Sequence, residues 1–89
     1  MSCGIAWMDT SEIERRMWAV LSECLGRDVG PAHIRVDDVE EWNSMTHIGI
    51  VMELEESFGI EIEPELIGAL YSGSDAILRF LIGRLGARP

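Results

Sequence analysis

Ser44 and His47 stand three residues apart in the stretch WNSMTHIGIVMELEESFG, residues 42–59. On a helix that spacing makes them surface neighbours, the minimum geometry for a hydroxyl activated by an imidazole. The rest of a nucleophilic site is missing. There is no G-x-S-x-G elbow and no third residue spaced to orient the imidazole. On a helical wheel of about 100° per residue with Met45 at zero, His47 falls near 200°, among the apolar positions, and reads as a partly buried structural histidine. The other ligand-type residues do not cluster. Cys3, Cys24, His33 and His47 lack the paired spacing of a zinc site. Asp37, Asp38, Glu40 and Glu41 lack the alternation and turn glycine of a calcium loop, and read as a solvated acidic face. No metal is expected. By residue type alone Ser44 is an ordinary helix-start serine. Asn43 is a strong N-cap type, so Ser44 opens the helix. There, free N–H groups and the positive end of the helix dipole favour the negative charge of a phosphodiester on the serine hydroxyl.

The helix behind the serine carries two apolar stripes. Ile50, Val51, Leu54 and Phe58 fall at about 140–240° on the wheel and form a core-facing stripe. Met45, Ile48 and Met52 fall at about 300–360°, with Glu55 and Glu56 on their margins. One core needs one face. The second stripe is expected to be a docking surface, although a middle helix can also be covered on both sides. Methionine at two of its three positions suits a surface that repacks against several partners.

The N-S-M followed by T-H-I-G-I-V-M-E-L-E-E-S-F-G-I-E-I resembles the D-S-L…ALEE.FGI segment of acyl carrier proteins. The most specific part is Ser44 together with Glu53, Glu55, Glu56, Phe58, Gly59 and Ile60, and the likeness extends over roughly residues 11–85. Asn43 stands where that family most often has Asp. The resemblance implies a 4'-phosphopantetheine arm on Ser44, moved from coenzyme A by a phosphopantetheinyl transferase. An acyl group is then carried as a thioester on the arm. It implies partner recognition by Asn43, Met45, Ile48, Met52, Glu55 and Glu56. The partners implied are an acyl-loading ligase or acyltransferase and synthase or tailoring enzymes, with no catalysis by the chain itself. Strong acidity and the S-M-T-H start are closer to acyl carriers than to peptidyl or aryl carriers loaded by an adenylating enzyme. A third class, an acidic helical adaptor with an unmodified serine, would share fold, charge and stripes. Asn43, Gly49 and the tryptophans point to polyketide or other specialised metabolism over housekeeping fatty-acid synthesis.

Other elements must hold this helix. Ser11 and Glu14 fit a capping box, after which Ile13, Met17, Val20, Leu21, Cys24 and Leu25 recur at helical spacing as far as Gly26. Trp18 lies at the edge of that stripe. Residues 27–42 form a long connection, broken at Gly30-Pro31 and expected to be pinned by Ile34, Val36 and Val39. After Gly59, Ile60-Glu61-Ile62 reads as an extended connector. Pro64 opens a short helix with Leu66, Ile67 and Leu70. Ser72 to Asp75 reads as a second cap, leading into a helix with Ile77, Leu78, Phe80, Leu81 and Leu85. The prediction is all-α: a small antiparallel four-helix bundle, three long helices and one short, in one domain over 1–89. Residues 1–10 are expected to be loosely ordered, 11–85 to form the bundle and 86–89 to be tail.

Sixteen acids against seven bases, all arginine, give a net charge of −9 in 89 residues. That charge disfavours nucleic acid and anionic membranes and favours basic partner surfaces. Two cysteines without a framework fit a reducing compartment. No signal peptide or spanning segment is evident. The expectation is a cytoplasmic monomer.

Overall fold

A computed structural model describes residues 9–85. It contains four α-helices: α1 (Thr10–Leu25), α2 (Ser44–Phe58), α3 (Pro64–Leu70) and α4 (Ser74–Leu85), with a 3-10 turn at Val36–Asp38. Of the segment 1–10 expected to be loose, Asp9 and Thr10 begin α1 instead, while residues 1–8, with Cys3, and the tail 86–89 lie outside the described residues.

α1 buries Ile13, Met17, Trp18, Val20, Leu21 and Leu25, and its end is fixed by Gly26 in the left-handed conformation at φ 73°. Cys24 is only partly buried. The capping box expected at Ser11 is not formed. The helix begins two residues earlier, with Asp9 in place of Ser11 as N-cap and without a side-chain cap bond. The Asp9 carbonyl takes the Ile13 N–H at 3.0 Å, and Glu12 pairs with Arg15 and Arg16. Ser11 therefore sits inside the first turn, where its hydroxyl cannot cap.

The connection from α1 to α2 is pinned as its apolar residues suggest. Val39 and Trp42 are buried, and Val29, Ile34 and Val36 pack against the core. Gly30, at φ 103°, lies against the Trp18 indole. A Cβ there would fall within 2.5 Å of the ring.

Helix directions follow from the long-range bonds. Arg16 of α1 donates to the Ser57 carbonyl at the end of α2, so α1 and α2 are antiparallel. Arg84, in the last turn of α4, donates to the Glu61 carbonyl and pairs with Glu63, just beyond α2. α2 and α4 therefore end at the same end of the bundle. In an antiparallel bundle the second and fourth helices run the same way, so this agrees with the expected arrangement. The connector 59–63 and α3 carry the chain back, and Tyr71 after α3 packs on His47 in the first turn of α2, ring centroids 4.8 Å apart.

The second cap also differs. α4 begins at Ser74, because the preceding residues pair with the loop. Val36 N–H donates to the Ser72 carbonyl and Ser74 N–H to the Ile34 carbonyl, both at 2.9 Å. Asp75 pairs with Arg79. The Ser74 hydroxyl is fully buried and accepts the Ile34 N–H at 3.0 Å.

Candidate functional site at the start of α2

Ser44 is the first residue of α2 and is exposed. Asn43 holds it there: the Asn43 side chain accepts the Thr46 N–H at 2.9 Å, and its carbonyl accepts the His47 N–H at 2.8 Å. A cap of this type is worth about 0.5–2 kcal/mol of helix stability. The backbone N–H groups of Ser44 and Met45 have no acceptor among the described residues. The first turn of α2 contains no acid. A negatively charged substituent on the serine would meet free donors and the positive helix end without an adjacent carboxylate.

Behind the serine the two stripes separate as the wheel predicts. Ile50, Val51, Leu54 and Phe58 are buried. Met45 is 81% exposed, Met52 61% and Ile48 47%, an apolar surface that the fold leaves uncovered. Glu56 is exposed on its margin. Glu55 is different. It is half-buried, and its carboxylate accepts the Ile62 N–H at 2.8 Å, anchoring the connector that leaves α2. Its carbonyl also accepts the Ile60 N–H. Six of the seven candidate residues (Asn43, Ser44, Met45, Ile48, Met52 and Glu56) are thus exposed, while Glu55 binds the chain that follows.

His47 is buried, 2% exposed. The Trp42 indole N–H donates to its Nδ1 at 3.0 Å, so the ring proton sits on Nε2, which donates to the Ile67 carbonyl at 2.9 Å. Both nitrogens are engaged, and the Ser44–His47 dyad is not formed. Burial holds the imidazole pKa below its ordinary value, opposed by the bond to Ile67. Trp42 and His47 are the residues before the cap and four into the helix, the positions of a hydrophobic staple. That spacing is the sequence signal for the contact, which fixes the angle at which the chain enters Ser44. The anchor at Ile67 has no local signal.

Among the described residues no three His, Cys, Asp or Glu side chains gather as metal ligands would. No described helix is long and apolar enough to cross a membrane. Comparison of the chain with protein-family models, curated proteins and solved structures finds no match. The likeness of the α2 segment to acyl carriers therefore stands on its own residues.

Proposed function

We propose that the chain is an acyl carrier, modified on Ser44 with 4'-phosphopantetheine from coenzyme A by a phosphopantetheinyl transferase. The observation that carries the reading is the pairing of an exposed serine at the helix start with an adjacent apolar stripe that the core does not use. When attached, the arm supplies a terminal thiol that holds an acyl group as a thioester. The chain's own residues do the rest. Asn43 sets the helix start, the free N–H groups of the first turn face the phosphodiester charge, and the Trp42–His47–Ile67 tie keeps that turn rigid. Met45, Ile48 and Met52 form the contact for loading and processing enzymes, a ligase or acyltransferase and a synthase or tailoring enzyme. Glu56 and the overall acidity draw basic surfaces toward them. The departure at Asn43, Gly49 in the central helix and the tryptophans favour a role in polyketide or other specialised metabolism. Incubation with coenzyme A and a broad-specificity transferase tests the reading: one phosphopantetheinyl group adds to the wild type and none to Ser44→Ala. An unmodified wild type beside a loaded control carrier would leave a non-carrier acidic adaptor.

A further inference from the structure

With 16 acids against 7 arginines, an arginine without a carboxylate partner needs an explanation. Among the described residues, Arg15 and Arg16 pair with Glu12, Arg27 with Glu41, Arg79 with Asp75 and Arg84 with Glu63. Arg35 alone of the described arginines has no such pair. The nearby Asp38 carboxylate takes the Arg35 backbone N–H at 3.3 Å, not the guanidinium. Arg35 instead lines a cleft of about 240 Å³, together with His33, Ser72, Gly73, Asp75 and Arg79.

The backbone around this cleft is tightly held. Arg35 and Gly73 form an antiparallel bridge. The buried Ser74 hydroxyl lies 2.8 Å from His33 Nδ1, which orients that ring. A Cβ at Gly73 would fall 2.6 Å from the Ile34 carbonyl oxygen, so glycine is required for the two segments to approach. Two arginines and a histidine therefore line the cleft with one acid, Asp75, whose carboxylate is 2.6 Å from Arg79 and 3.9 Å from His33. In a chain of net charge −9 this is a local reversal of sign. At about 240 Å³ the cleft is below the range of about 300–1,000 Å³ typical of drug-sized ligands. It is sized for a small group.

We propose that this cleft binds a small oxyanion, a carboxylate or a phosphate group, with Arg35 as its principal cation. Arg79, paired with Asp75, contributes from α4, and His33 from the same loop as Arg35. Arg35 can offer a two-pronged hydrogen-bond pair to either kind of group. Binding needs nothing on Ser44 and is independent of the carrier reading.

The test is a titration of the ¹⁵N-labelled chain with malonate and, separately, with inorganic phosphate, followed by NMR. Amide shifts at Arg35, Gly73 and Ala76 should saturate with a Kd on the order of 1 mM for at least one probe. Malonate alone would assign a carboxylate ligand, and phosphate alone a phosphoryl group. Arg35→Ala, at an exposed position, should weaken binding about tenfold or more, while Arg27→Ala and Ser44→Ala bind as wild type. Shifts that rise linearly with both probes, or wild-type affinity in Arg35→Ala, would overturn the proposal.

Discussion

At His47 a single proton decides whether three segments stay joined. Its Nδ1 accepts from Trp42 and its Nε2 donates to Ile67, so a second proton would set one N–H against another in a buried place. Its pKa lies below the ordinary 6.5 in the folded chain. Protons therefore bind the unfolded chain more readily. The contribution of His47 is complete above its unfolded pKa and is lost as pH falls through the folded value. The urea midpoint should fall as pH drops below about 6.5. In His47→Gln that part of the slope should flatten; an unchanged profile would mean that another group titrates there. Trp42→Phe keeps the packing but leaves Nδ1 without its donor, which should cost about 1–3 kcal/mol. At Asn43 the difference between amide and carboxylate is charge alone. Asn and Asp cap about equally, so Asn43→Asp should leave the melting temperature nearly unchanged. A carboxylate beside Ser44 can meet a cationic transferase, and charge-assisted bonds are about twice as strong as neutral ones. Initial loading rates of the two forms should favour Asp. A slower Asp form would show that repulsion of the coenzyme diphosphate wins.

At the scale of elements, α2 has one buried and one exposed apolar face. Leu54 is fully buried and Met52 is 61% exposed, two residues away. Leu54→Ala should destabilise the fold by about 2–5 kcal/mol through the cavity it leaves. Met52→Ala should cost far less stability, yet reduce acyl transfer to a partner enzyme. Equal loss of melting temperature in the two variants would make Met52 part of the core. This division was readable in the sequence because helical periodicity is local: four residues fix a cap and fifteen fix a stripe. The α1 and α2 ends at Gly26 and Gly59 were legible for the same reason, since both adopt positive φ at a helix end. The contacts that the sequence hid are those without a local signature. Ser74 bonds Ile34 across 40 residues. That pairing displaced the cap expected at Ser72. Glu55 reads as surface on the wheel, and only the return of the connector brings the Ile62 N–H to it.

For the whole molecule the governing quantities are charge and the end of the bundle that holds Ser44. A net charge of −9 should steer the chain toward basic partners over long range. At physiological salt the Debye length is about 8 Å, so partner on-rates should fall as ionic strength rises. A flat on-rate from low to high salt would mean that Glu56 and its neighbours only solvate the helix. The first turn of α2, the end of α3 and the start of α4 meet at one end of the fold, through Tyr71 on His47 and the Ser72–Val36 pairing. The carrier reading requires that Ser44, at this end, is a modified residue in the cells that make the protein. The most direct measurement is intact-mass and peptide-fragment analysis of the protein isolated from those cells. The account predicts a phosphopantetheinyl group, with or without its acyl load, on the peptide that contains Ser44. Bare serine in the entire population, alongside phosphopantetheinylated carriers from the same cells, would contradict it.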